Sequence, residues 1–180
     1  MFDDGTVLHG GNFHAQAVAM TLDSLALAIS YLGVISQARI GLILARTPSE
    51  NKYMATKPGL ESGLMILQYT ATALAAENAK EVYPESAYPA NVSGGIEDHA
   101  SHGVNSGMKA LTVAENTSRI LAIELICASN ALGQEQTGLS SRGSKLCSSV
   151  RRTSPLLRGD RSQGEEVELL AKEMLSGRLS

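Results

Sequence analysis

The sequence predicts an all-α chain of long helices that bundle with one another and with further subunits. Three observations carry this. Hydrophobic residues make up 43% of the 180 residues, yet aromatics make up only 4% and Trp is absent. The apolar content is therefore mostly Ala, Leu, Ile, Val and Met, a set dominated by good helix formers, which favours helices over a β-sandwich. Apolar residues also recur at steps of three and four over long segments, the helical period, and Gly- and Pro-bearing stretches separate those segments. The length suffices for one domain with a real core.

Residues 1–14 read as an entry loop with glycines at 5, 10 and 11. Val18, Leu22, Leu25, Ile29 and Leu32, followed by Ile40 and Ile43, mark a helix over 15–46, with Gly33 and Gly41 as places where it could bend. At 1.5 Å per residue it would be about 48 Å long. A compact globule of this size does not hold such a rod, so the helix is expected to extend into a partner. Residues 47–60, with Pro48, Asn51, Pro58 and Gly59, form a loop. A second helix is expected over 61–82, its buried stripe Leu64, Leu67, Ala71, Leu74 and Asn78, and Pro84 stops it. Residues 83–103 read as irregular. A third helix is expected over 106–132, with Leu111, Ala114, Leu121, Leu125, Ala128 and Leu132 on one face and Gly133 as its C-terminal stop. Ser, Gly and Arg dominate 134–164, which reads as a mobile basic surface loop. An amphipathic helix with Val167, Leu170, Ala171 and Met174 occupies 165–176. The organisation is thus one domain: 1–133 forms the bundle and carries the functional loops, 134–164 is the basic loop, and 165–180 holds the last helix.

A net charge of -3 and a pI near 5.8 supply no global basic field for nucleic acid. The basic segment lacks interleaved aromatics on which bases could stack. Cys127 and Cys147 make neither a metal spacing nor a disulfide framework, and read as reduced thiols of a cytoplasmic protein. The acidic start at Asp3 and Asp4 is followed by no apolar run, which argues against a secretory signal. No uninterrupted apolar run is long enough to span a membrane.

Polar residues that look out of place fall in two loops, Gly10-Gly11-Asn12-Phe13-His14 and Gly94 to His102, each just ahead of a long helix. Free backbone donors at helix starts make such loops natural sites. His99 and His102, three apart and beside Glu97 and Asp98, could hold a metal. Without a supporting HExxH or Cys/His spacing, they read better as caps of the next helix, and no metal is expected. Glu97 and His99 could each move a proton. Taken alone, Glu97 reads as a carboxylate complementing a helix terminus. Neither a nucleophile elbow nor a phosphate-binding loop is present.

Together these motifs resemble the aromatic amino-acid ammonia-lyases, the family of histidine, phenylalanine and tyrosine ammonia-lyases and related aminomutases. Gly10-Gly11-Asn12-Phe13-His14-Ala15 leads into the helix of Val18-Ala19-Met20 and Leu25-Ala26-Leu27-Ala28 as it does in that family. Ser36-Gln37-Ala38-Arg39-Ile40 is similar to its Ser-Glu-Arg-Arg-Ile. Gly59-Leu60-Glu61-Ser62-Gly63-Leu64-Met65-Ile66-Leu67-Gln68 is similar to its Gly-Leu-Asn-Ser-Gly-Phe/Leu-Met-Ile-Ala-Gln. Glu77-Asn78, Glu97-Asp98-His99, Ala114-Glu115-Asn116 and Leu121-Ala122-Ile123-Glu124 follow in order, and Gly159-Asp160-Arg161 through Leu179 resembles the family's last helix. The carboxylate of Glu97 resembles the histidine branch, since the phenyl-type enzymes usually carry Gln there.

The resemblance implies a long-helix bundle of the ammonia-lyase/fumarase-like type in a tetramer whose active sites each draw on three subunits. It implies catalysis through a 4-methylidene-imidazol-5-one electrophile cyclised from Ala-Ser-Gly. Carried over residue by residue, Glu97 would be the catalytic carboxylate beside that group. Phe13 would line the substrate pocket, Asn12 and His14 would shape the same loop, and Gln68 would support it. The chain departs from the family in having no Ala-Ser-Gly. The family's catalytic Tyr loop and Tyr-Ser-x-Arg-Cys-Gln-Pro-Gln segment are also missing. Ile96, Glu61 and Ala79 replace the usual Gln or Asn, Asn, and Lys. The expectation is therefore a C-terminal subunit or fragment of an ammonia-lyase, active on an aromatic amino acid only with a chain carrying the N-terminal half and its cofactor. An aminomutase subunit and a non-catalytic scaffold stand as the alternatives.

Overall fold

The computed structural model describes residues 2–10, 13–133 and 138–179. Among the described residues the fold is all-helical apart from one small hairpin, in the order α1 (Gln16–Ala45), α2 (Met65–Glu81), β1 (Ala90–Val92), β2 (Glu97–Ala100), α3 (Gly103–Ala131), α4 (Ser141–Thr153) and α5 (Gly164–Leu175). Short 3₁₀ turns occupy Ser49–Met54, Glu85–Ala87 and Ser93–Gly95. Helices α1 and α3 lie along each other, α2 packs on both, and α5 closes over α3. α1 runs unbroken through Gly33 and Gly41.

The buried face of α1 differs from the one expected. Val18, Leu25 and Leu32 are roughly half-exposed, and Leu22 and Ile29 only partly covered. The buried stripe runs one residue over, through Ala19, Asp23, Ala26, Ser30, Gly33, Ser36, Ile40 and Leu44. This is a three-four repeat of mostly small side chains, which lets two helix backbones come close. Gly33 shows how close: a Cβ there would stand 3.2 Å from Ile120 Cδ1 and 3.3 Å from Thr117 Oγ1 of α3. The same offset affects α3, where Leu111 is exposed and Ala110, Val113, Ile120, Ile123 and Ile126 are buried. α2 buries Leu67, Ala71 and Asn78 as expected. The main core joins Ile40, Leu44, Leu64, Leu67, Ile120, Ile123, Ile126, Val150, Val167 and Leu170.

By length and composition α1 would be long and apolar enough to cross a membrane. Its inward seam is a helix-packing surface, however, and it carries two ion pairs to α3, Asp23–Lys109 and Arg39–Glu124.

The basic segment is not the loop expected. Residues 141–153 form α4, with Cys147, Ser149 and Val150 buried and Ser140 Oγ accepting from the Gly143 amide at 3.1 Å. Arg151 fastens it. Its guanidinium donates to Ser129 Oγ (3.0 Å), to the Ser129 carbonyl (2.8 Å) and to the Gly133 carbonyl (2.5 Å). Those carbonyls belong to the C-terminal end of α3, where unpaired acceptors and the helix dipole both favour a cation. Leu132 ends α3 and Gly133 follows at φ +58, the left-handed stop expected there. Farther on, Asp160 accepts from the Ser62 and Gly63 amides at 2.8 and 2.9 Å, which ties the turn before α2 to the segment before α5.

Candidate active site

Residues 90–100, expected to be irregular, form an antiparallel hairpin with Ala90 opposite Ala100 and Val92 opposite Glu97. The connecting turn uses positive φ at Ser93 (56°), Gly94 (65°) and Gly95 (89°). Two glycines supply that geometry cheaply, while Ser93 carries some strain. The Ser93 hydroxyl donates to Glu97 Oε2 at 3.0 Å, so the turn holds the carboxylate it presents. Glu97 is exposed, as are Asp98 and His99.

The two motif loops meet. His14 Nε2 lies 2.8 Å from the His99 carbonyl, His99 Nε2 lies 3.1 Å from Gln16 Oε1, and the two imidazole centroids stand 5.2 Å apart. The Gln16 amide donates to His14 Nδ1 at 3.2 Å. The starts of α1 and α3 press together behind them, since a Cβ on Gly103 would come within 2.9 Å of Ala15 Cβ. Phe13, next to His14, is 86% exposed. Asn12 lies outside the described residues.

Below the loops sits a buried ion pair. Lys109 Nζ is 2.5 Å from Asp23 Oδ1, with side chains 5% and 6% exposed. Lys109 also donates to the Tyr83 carbonyl, and Asp23 Oδ2 accepts from the Ser86 amide at 2.9 Å. Burial by itself raises a carboxyl's pKa. Here the Lys109 ammonium and the Ser86 amide outweigh it and hold Asp23 well below the usual carboxylate range. The pair pins the turn at 84–87 to α1 and α3.

Some expectations fall elsewhere. Gln68 lines a concavity with Gly41, Leu44, Ala45, Lys52 and Tyr53. From Gln16 to Gly41 along α1 is about 38 Å, so this chain does not bring Gln68 to Glu97. Neither Asp98 nor His102 caps α3 through its side chain. His102 occupies the N-cap position in a left-handed conformation, and its carbonyl accepts from Ser106. A concavity of about 810 Å³ between α2, α3 and the start of α5 is also remote from the motif loops. The chemistry-bearing side chains converge at the loops instead. Burial pushes the Cys127 thiol up to about 12, which leaves it protonated and inert as a nucleophile. Sequence reasoning missed Gln16, Ser93 and the Asp23–Lys109 pair. Only the last left a signal, as two charges inside apolar helical stripes.

A bundle of long helices thus brings Phe13-His14 and Glu97-Asp98-His99 together at one end. The comparisons make this specific. The family model for aromatic amino acid lyases matches residues 1–153, and the chain belongs to that family. It is 39% identical over 181 residues to the histidine ammonia-lyase of Symbiobacterium thermophilum, and 37% identical over 180 residues to that of Gloeobacter violaceus, 98% of the chain being matched in each case. The crystal structure of histidine ammonia-lyase from Trypanosoma cruzi superposes with a TM-score of 0.87 at 36% identity, covering 99% of this chain and 36% of the other. Tyrosine aminomutase from Streptomyces globisporus superposes at 0.84 with 32% identity, covering 99% of this chain and 35% of the other. The chain spans 35% of the length of the curated relatives it matches.

Proposed function

We propose that this chain supplies the Glu97–Phe13 wall of an ammonia-lyase active site, acting on an aromatic amino acid and most closely on histidine. It would do so in the cytoplasm, with a chain carrying the N-terminal half. The observation that carries the reading is the meeting of the two loops: His14 and His99 join them and place Phe13 and Glu97 on the same end of the bundle. The family's 4-methylidene-imidazol-5-one, when present, supplies an electrophile for the substrate. No Ala-Ser-Gly occurs here from which to form it. What this chain offers is a set of exposed side chains suited to face such a group from across an interface.

Within that site, Phe13 packs against the aromatic ring and excludes water. Glu97, oriented by Ser93, accepts a hydrogen bond or a proton from a basic substrate side chain, the role an imidazole would call for. His14 shapes the loop, and Asn12 is assigned to it by the resemblance alone. Gln68, about one helix length away, would join a site only in a neighbouring copy. Half-exposed Val18, Leu25, Leu32 and Leu42 on α1 support assembly into an oligomer, with a tetrameric core as the family suggests.

The test is co-expression with a polypeptide carrying the Ala-Ser-Gly portion, followed by assays of ammonia release from histidine, tyrosine and phenylalanine. Glu97→Gln is expected to lower turnover strongly with assembly intact, and Phe13→Ala to change mainly substrate fit. A kinetically silent Glu97→Gln would remove the assigned role. Aminomutase activity is a second reading, favoured by the close superposition on solved tyrosine aminomutases. A β-amino acid among the products would establish it.

A further inference from the structure

Three residues at the loops are joined through side-chain and backbone groups. The Gln16 backbone amide donates to His14 Nδ1, so the neutral His14 ring carries its proton on Nε2 and donates it to the His99 carbonyl. The His99 ring faces Gln16 Oε1 through its own Nε2, which therefore also bears hydrogen. Gln16 Nε2 reaches on to the Ser86 carbonyl at 3.5 Å, over the turn that Asp23 anchors. Each imidazole has one tautomer that satisfies these partners, and both rings meet Gln16, His14 through its backbone amide and His99 through its side-chain oxygen.

We propose that Gln16, His14 and His99 form a tautomer-locked clasp, acting as positioning residues that fix the Glu97 loop against the Phe13 loop. The proposal rests on the reading of Glu97 and Phe13 as site residues. The hairpin's other bonds near Glu97, the Ala90–Ala100 pairing and the Ser93–Glu97 contact, are internal to it. They cannot set its distance from α1. The Gly103–Ala15 contact brings the helix starts together but lies behind the functional residues. The clasp is what connects residue 14, adjacent to Phe13, to residue 99, two beyond Glu97. Each of its bonds is exposed to competing water, so it holds only when all are made at once.

A purely local role, in which His14 merely caps the start of α1, makes a different prediction. Two measurements on the full chain separate them. Long-range ¹H–¹⁵N correlation of the imidazoles should show both His14 and His99 as single Nε2–H tautomers at neutral pH. Gln16→Ala removes the acceptor of the His99 ring and leaves the backbone bond to His14 in place, so backbone order parameters should show residues 97–99 on the far loop loosening, towards the mobile range below about 0.6. Gln16→Glu, which keeps the acceptor for His99, should restore them. Helical circular dichroism should stay unchanged throughout. In the assembled enzyme, Gln16→Ala should lower kcat roughly tenfold or more with a smaller change in KM, the mark of misplaced rather than lost groups.

Averaged tautomers on either ring, or residues 97–99 unmoved by Gln16→Ala, would overturn the clasp. The tautomer and order-parameter readings need no turnover. They decide the clasp even if no substrate is found and the functional reading fails.

Discussion

Replacing Asp23 by Asn is the sharpest probe of how the loop-bearing end is held. Asn keeps the shape and can still accept from the Ser86 amide, so the change removes little but the negative charge. Lys109 then remains enclosed, 5% exposed, with the Tyr83 carbonyl as its remaining partner. Breaking a buried pair from one side costs about 3–5 kcal/mol, because the surviving charge stays desolvated and uncompensated. The exposed pair on the same two helices gives an internal control. Arg39 is 48% exposed, so Glu124→Gln should cost about 1 kcal/mol or less. Substituting both buried partners, Asp23→Leu with Lys109→Met, should cost less than Asp23→Asn alone, since the desolvation penalty disappears along with the attraction and what is lost is the partners of the Ser86 amide and the Tyr83 carbonyl.

The assay is urea unfolding followed by helical circular dichroism at fixed protein concentration, so that association does not shift the comparison. The pH dependence provides a second reading. Asp23 titrates lower in the folded chain than in the unfolded one. Its contribution is therefore fully present above the unfolded value near 3.9 and is lost as pH falls through the folded value. The gap between the natural chain and Asp23→Asn should be flat from pH 5 to 8 and narrow below about pH 4. A cost under about 1 kcal/mol for Asp23→Asn, or a gap that widens on acidification, would refute the argument that this pair is desolvated and working.

Gly63 sits at φ +59, and a Cβ there would meet the Tyr53 carbonyl at 2.4 Å. Gly63→Ala should therefore destabilise by more than the 1–2 kcal/mol of left-handed strain alone, read from the same unfolding curves. Arg151→Met keeps the helical propensity of α4 but removes its bonds to α3. It should cost about 1.5–3 kcal/mol and speed amide exchange across 141–153 ahead of the rest of the chain. Leu25→Glu with Leu32→Glu, on the outward face of α1, should leave helix content intact and shift the sizing profile towards smaller species. An unchanged profile would mean that this face is not an assembly surface.

The helices were legible because periodicity and punctuation agree: 15–46 against Gln16–Ala45, and 165–176 against Gly164–Leu175. What the pattern could not report was which face turns inward. Counting large apolar residues picks the stripe through Val18, Leu25 and Leu32, yet helices approach closest where side chains are smallest, and α1 seats Ala19, Ala26 and Gly33 against α3. α4 escaped notice for a related reason. Its composition is mostly Ser, Gly and Arg, and besides the buried Cys147 and Val150 it is fastened by one arginine reaching the carbonyl end of another helix, an interaction with no periodic signature. The same limit applies to the site. Each loop announced itself by its residues, but the contact between His14 and His99 spans 85 positions and depends on Gln16, a residue with no motif of its own.

The two faces of α1 also bear on function. The inward face, with its small residues and its buried Asp23, fixes where the loops stand within this chain. The outward face, with larger side chains left half-covered, is suited to receive other helices. The site proposed above, completed across subunits, would need both properties in one helix. The N-terminus would be held rigidly enough to aim Phe13, and the flank would stay free to bring that aim to bear on a group supplied by another polypeptide.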